Sequence, residues 1–337
     1  SSGASPLFTS PDAESSEHAA HFPMLASRNP RKVLLLGGDP AGELGEVLKY
    51  SSVECVTLVE LDPEVFTLAA RYLPPPEKDE DRTRLIASDG RAFLERTAER
   101  FDVIIMNLPA PLSGQANRYY TREFFKLAAE KLAPDGVFGF SLAGAENYIS
   151  PELARFLASI RASLQCVFPS ILLIPGLDIR FLASPAPGAL GSLKWEDFET
   201  NRMERGVETL YFREYFLRYT MSPERTSFLR ESLDAVSDPI SNSDLKPSGY
   251  FLRTLLQGSL DGSRFIRCMG ALADERVLAG MAAALGLFLI IPGLLPGRGA
   301  KGRSIVSAVL AAGCAQISLE ILAILSFQSL FGFLYSR

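Results

Sequence analysis

The sequence predicts an α/β fold: an open, mostly parallel sheet with helices on both faces, closed at one edge by an antiparallel hairpin. Three observations predict it. From Lys32 onward, short apolar strands alternate with helical segments. The strands are nearly unbroken runs of Val, Ile and Leu, as burial on both faces requires. The last two strands, SILLIPG and DIRFLASP, are separated by too few residues for a crossover helix, so they pair antiparallel.

Residues 1–31 are polar and rich in Ser, Pro and Ala, ending in the more apolar Phe22–Leu25. They are expected to form a loop or a short helix lying across the next domain. Strands follow at 32–38, 54–62, 84–89, 101–108 and 136–142, with helices between and after them at 43–50, 63–72, 90–99, 121–132 and 151–164. With the hairpin, this is the layout of a class I methyltransferase-like (Rossmann-like) seven-stranded sheet, and it occupies 32–187. Residues 188–263 lose the strand rhythm. Their ETLYFREYFLRYT and ERTSFLRESLDAV carry apolar residues at three-to-four spacing, the mark of a small helical subdomain packed beside the sheet. The loop SDPISNSDLKPSGYF follows.

Residues 264–337 read as a membrane segment. Val277–Pro296 carries no charge and is long enough for a hydrocarbon core of about 30 Å. Ser304–Tyr335 holds a single charge, Glu320, with Gln316 on the same helical face and Gln328 further on. Two transmembrane helices are expected, giving a multi-pass membrane protein with its remaining domains on the cytoplasmic side. The lipid bilayer, and further transmembrane helices or membrane subunits, would be its partners. The inter-helix loop has Arg298, Lys301 and Arg303, against Arg264, Arg267, Arg276 and Arg337 on the other side, so basic residues do not fix the orientation. A carboxylate inside a span is costly and usually faces a partner or a cavity.

Composition narrows the function. A net charge of −5 leaves no basic field for nucleic acid. The four cysteines are scattered without a CxxC, which suggests neither a disulfide framework nor a metal site. The chain begins at Ser1 without Met and reads as a processed product or a fragment of a longer membrane protein.

The site signal lies at the carboxyl edge of the sheet, where open α/β folds bind ligands. In LLLGGDPAGELGEVL a strand, a glycine turn and a helix follow one another. Gly37, Gly38 and Gly42 let backbone approach a ligand, and Asp39 lies within the turn. Glu60 ends the second strand, where an acid accepts hydrogen bonds from ribose hydroxyls. Asp89 ends the third, where a carboxylate or its neighbouring backbone meets an adenine amino group. Either acid alone would serve as well as a helix N-cap. At successive strand ends they favour a nucleoside. The fourth strand, FDVIIMNLPAP, ends at Asn107, and where a reaction would want a base there is an amide followed by Ala110.

The order LLLGGD, VTLVELDPEVFTLA, IASDGRAFL, FDVIIMNLPAP and YYTREFFKLAAEKLAPDGVF resembles the spermidine synthase (polyamine aminopropyltransferase) family from about Glu17 to Pro187. NRYYTREFF, and NSDLKPSGYF before apolar helices, resemble its membrane-fused branch. The resemblance implies an adenosyl ligand, S-adenosylmethionine or its decarboxylated form, and no metal. In active members an aminopropyl group passes from the decarboxylated form to a diamine.

This chain departs from the family pattern where the amine is handled. Pro40 stands at the family's glycine-motif Asp, with Asp39 one residue early. Asn107 and Ala110 replace the catalytic Asp and the Asp before its Pro. Ser15-Ser16-Glu17 stands for Tyr-His-Glu ahead of His21-Phe22-Pro23. A carboxylate would attract the protonated amine and take its proton; Asn does neither. Asp102 sits at the wrong end of its strand, which leaves Glu17 or Asp39 as a transferred base. Three functions compete: a nucleoside-binding domain without efficient aminopropyl transfer, an active polyamine aminopropyltransferase, and an S-adenosylmethionine-dependent methyltransferase.

Overall fold

A computed structural model describes residues 12–72, 80–260 and 300–331, together with positions 280, 283, 286 and 287. The chain opens with α1 (Ala13–Ala26), then β1 (Lys32–Gly37), α2 (Glu43–Leu48), β2 (Cys55–Glu60), α3 (Pro63–Tyr72), β3 (Thr83–Ala87), α4 (Gly90–Arg96) and β4 (Phe101–Asn107). It continues with α5 (Gly114–Asn117), α6 (Arg122–Lys131), β5 (Leu132–Ala143), α7 (Pro151–Gln165), β6 (Ser170–Ile174) and β7 (Asp178–Ser184). The helices α8 (Trp195–Glu204), α9 (Glu214–Thr220), α10 (Pro223–Asp234), α11 (Ser248–Leu260) and α12 (Ala300–Phe331) complete the described elements.

The seven strands run in the order β3-β2-β1-β4-β5-β7-β6. β1 to β5 are parallel, and β7 runs antiparallel to both β5 and β6. The strand order reverses at β1, so β1 and β4 lie side by side at the switch point where ligands of such sheets settle. Register puts Gly37 opposite Asn107 and Glu60 opposite Ala87. The glycine turn and both expected acids therefore share one edge.

Each face of the sheet carries its own apolar core. One face buries Phe124 and Phe125 of α6, Phe156 and Leu157 of α7, and Leu229 and Leu233 of α10 against Phe138, Phe140 and Phe181. The other buries Phe22 of α1, Val47 of α2, Phe198 of α8 and Phe212 against Val33, Leu35 and Ile105. Phe140 and Phe181 stack across β5 and β7 at 4.8 Å. Alternation of side chains through the sheet plane explains why the strands other than the edge strand β3 feed both cores.

The N-terminal segment is a 14-residue helix rather than a loop. Asp12 caps it by accepting from the Ser15 N–H. It lies on the sheet because its apolar residues Phe22, Met24 and Leu25 are fully buried there. The segment at 208–220 is helical only over Glu214–Thr220, because the Leu210, Tyr211 and Phe212 N–H groups donate to the Glu17 carboxylate instead of to a preceding turn.

The tail corrects the sequence expectation. Val277–Pro296 lies almost wholly outside the described residues. Ser304–Tyr335 overlaps α12, yet among the described residues no helix is long and apolar enough to cross a membrane. Gln316 and Glu320 fall in α12 and hydrogen-bond each other at 3.2 Å. The expected transmembrane helices, the multi-pass localisation with a cytoplasmic domain, and the bilayer and membrane subunits as partners are not upheld.

Candidate nucleoside site

A cleft of about 360 Å³ opens at the carboxyl ends of β1, β2 and β4. Its floor is Leu36, Gly37 and Gly38, one wall is Glu60 to Asp62, and the other is Asp89, Arg118 and Tyr119. The volume falls in the range of pockets that enclose a small ligand, and the lining is apolar with a few convergent polar groups.

The glycine turn keeps this cleft open. Gly37 has φ 71° and Gly38 φ 99°, the left-handed region where a side chain is strained. A Cβ on Gly37 would lie 2.8 Å from the Asn107 carbonyl oxygen, and one on Gly38 would clash with Glu43 Oε2. Gly42 starts α2 against Ser16. Pro40 is buried and is not among the residues lining the cleft.

The two expected acids differ. Among the described residues, Glu60 accepts only from the Asp62 N–H, at 3.2 Å through Oε1, which leaves Oε2 available to a ligand. Asp89 is the N-cap of α4, accepting from the Ala92 N–H through Oδ1. Its Oδ2 accepts from the Tyr119 hydroxyl at 2.9 Å and from Arg118 Nη1 at 3.0 Å. An adenine amino group there would meet a carboxylate already engaged by three donors.

Arg118 and Tyr119 come from the short turn that α5 makes, within the NRYYTREFF stretch, whose spacing alone gives them no role at the cleft. They are fixed by a polar latch from the loop before α11. Asn242 Nδ2 donates to the Tyr120 carbonyl and to Asn117 Oδ1. Asp244 takes a two-point ion pair from Arg91, at 2.9 and 2.6 Å, and a hydrogen bond from the Thr121 hydroxyl. Tyr120 is fully buried, and its hydroxyl donates to the Leu108 and Pro109 carbonyls, which sets the chain as it leaves β4.

At the end of β4, Asn107 Nδ2 donates to Glu43 Oε1, and the Asp39 N–H donates to Glu43 Oε2. Burial pushes the Glu43 carboxyl up to about 8, with the Asp39 carboxylate adding to the rise and the two hydrogen bonds opposing it. The sequence reading missed Glu43, because its role depends on a neighbour 64 residues away in β4. Asp39 accepts from the Ala41 N–H through Oδ1, while its Oδ2 is buried without a partner. Asp102 lies at the opposite end of β4, accepting from the Arg31 and Lys32 N–H groups.

The N-terminal positions are committed to structure. Glu17 is buried and saturated by three backbone N–H groups, which removes it as a transferred base. Ser15 belongs to the α1 cap. His21 bonds Tyr50 Oη at 2.9 Å and Glu46 Oε2 at 3.0 Å, and burial lowers its pKa. Among the described residues no group of three or more His, Cys, Asp or Glu side chains could hold a metal ion.

The fold is an α/β domain of the methyltransferase-like type, with a cleft at the carboxyl edge of its sheet. A model of the spermine/spermidine synthase domain matches residues 13–178. A polyamine aminopropyltransferase of Pyrobaculum calidifontis is 32% identical over 212 residues, covering 58% of this chain and 71% of that protein. One from Nitrosomonas europaea is 34% identical over 162 residues, 47% of this chain and 49% of the relative. The structure of spermidine synthase in complex with the transition-state analogue AdoDATO has 26% identity and a TM-score of 0.55, over 67% of this chain and 76% of that one. Thermotoga maritima spermidine synthase has 25% identity and a TM-score of 0.52, over 67% and 75%. The chain belongs to the spermine/spermidine synthase family. It spans about half the length, or less, of the first curated relatives it matches.

Proposed function

We propose that the cleft binds an adenosyl nucleoside and that the chain does not transfer aminopropyl groups efficiently. The observation that carries the reading is the pairing at the end of β4, where Asn107 is bonded to a buried Glu43 that neutral pH leaves largely protonated. Base and ribose would lie between Asp89 and Glu60, with Glu60 Oε2 accepting from ribose hydroxyls. That a spermidine synthase of similar fold is in complex with AdoDATO supports an adenosyl ligand.

The transfer step needs a different set of groups. The nitrogen of a diamine must lose a proton to attack the methylene next to the sulfonium, and the thioether leaves as methylthioadenosine. The Asn107 amide cannot take that proton at neutral pH. Glu43 already accepts from two donors and favours its neutral form, and Glu17 is saturated. Of the two acids that the sequence offers as a transferred base, Asp39 is the one left, and it is held inside the turn.

The test is incubation with decarboxylated S-adenosylmethionine and putrescine or spermidine, following methylthioadenosine. Loss of general-base help alone lowers such a rate by about 10²–10⁴-fold. Turnover of about 1 s⁻¹ or faster, within the ordinary enzyme range, would overturn the reading. A working aminopropyltransferase is the second reading, favoured by the names of the relatives.

A further inference from the structure

Asn107 is a wall shared by two cavities. One is the nucleoside cleft. The other, of about 10 Å³, lies beyond Asn107 among His18, Phe22, Phe140 and Arg180. The strand order sets the direction between them. A nucleoside held at β3 and β2 points its sulfur-bearing chain across β1 and β4, and the next side chains past that point come from β5 and β7. Arg180 stands on β7, opposite Ser141 of β5.

Among the described residues, this second cavity holds two buried side-chain nitrogens without partners. Arg180 is buried, its Nη1 donates to the Asp178 carbonyl at 2.8 Å, and its guanidinium lies 5.5 Å over the Phe22 ring, yet Nε has no partner. His18 is stacked on Phe216 at 3.9 Å, and its Nε2 is likewise buried and unpartnered. Burial lowers the Arg180 pKa only to about 10, so it stays a cation at neutral pH. The acids that act on it, Asp178 and Glu14, are both exposed, so neither neutralises it inside the cavity. An orphaned buried donor is costly, and a buried cation repels a second cation while attracting an anion. A diamine placed here would meet the wrong sign.

We propose that Arg180 and His18 form a carboxylate subsite, so that the adenosyl ligand of this chain is the intact amino acid form, S-adenosylmethionine, and not its decarboxylated counterpart. The proposal rests on the nucleoside reading above. The size agrees: a cavity of about 10 Å³ takes a single water-sized group, the size of one carboxylate oxygen. Beside the carboxylate, the ligand's tail carries an amine. Both adenosyl forms carry that amine, so the choice between them falls to Arg180.

Calorimetric titration of the full chain with methylthioadenosine, S-adenosylmethionine and decarboxylated S-adenosylmethionine separates the possibilities. The intact form should bind about tenfold or more tightly than the decarboxylated one, the scale of a hydrogen bond to a charged group. Arg180→Gln should erase that preference while leaving methylthioadenosine, which lacks the tail, within about twofold of wild type. Equal or tighter binding of the decarboxylated form, or a preference that survives Arg180→Gln, would overturn the subsite alone. No binding of methylthioadenosine would remove the nucleoside reading and the subsite with it. Should Arg180→Gln fail to fold, the wild-type comparison still decides, and His18→Gln, expected to narrow the preference in part, serves as the second variant.

Discussion

Glu60 and Asn107 carry opposite halves of the account. Glu60 keeps a free carboxylate oxygen at the cleft, so Glu60→Ala should weaken nucleoside binding by about 1.5–3 kcal/mol, measured by calorimetry. Asn107 lacks the chemistry of a base, but restoring a carboxylate should not restore transfer. In Asn107→Asp the new acid would lie against Glu43, and the cation Arg180 would still face the amine's approach. The Asn107→Asp/Ala110→Asp double variant should therefore show none of the 10²–10⁴-fold gain that a working base supplies. A rise of that size in methylthioadenosine release would mean that the missing carboxylates were the whole obstacle. Glu60, Asp89 and Asn107 were legible because strand ends can be counted along the sequence. Glu43, Arg118 and Arg180 were not, because each acquires its role from a partner or a cavity wall supplied by a distant part of the chain.

The glycine turn and α2 set a pH dependence at the scale of the element. Glu43, raised from 4.5 to about 8 chiefly by burial, keeps its proton in the folded chain where the unfolded chain releases it. Stability should therefore fall as pH rises between about 4.5 and 8, and this contribution should level off above that window. The histidines of α1 act the other way. His18 is lowered from 6.5 to about 3 and His21 is also lowered, both mainly by burial, so the unfolded chain binds their protons first. Their contribution is lost as pH falls through 6.5. Melting temperatures should peak near neutrality and decline toward pH 8, and Glu43→Gln should flatten that decline whatever its absolute stability. A decline of unchanged slope in the variant would place the titration elsewhere. The latch between the α11 loop and α6 gives a second prediction at this scale. Asp244→Ala strands the Arg91 guanidinium and should cost about 3 kcal/mol in denaturant unfolding, with looser nucleoside binding through Arg118. The SNSD segment reads only as a loop in sequence, since its partners lie more than a hundred residues back.

At the scale of the molecule, the sheet was legible because parallel strands announce themselves as continuous apolar runs, and the hairpin because its spacing admits no helix. The observed strands fall within or close to the expected runs, β5 extending furthest beyond. The first helix was harder to read, since Pro23 falls inside it and its register depends on the sheet beneath. The tail shows the limit of composition. Low charge suggested membrane spans, yet among the described residues no helix meets the length and apolarity a crossing needs. What remains is a family fold with Glu60 and Asp89 at successive strand ends, where we propose the nucleoside binds, and with Asn107, Glu43 and Arg180 where we propose the ligand's tail lies. Titration of the full chain with methylthioadenosine tests this most directly. The account predicts saturable binding at one site per chain, and an isotherm without saturable heat, at concentrations where a folded chain is verified, would contradict it.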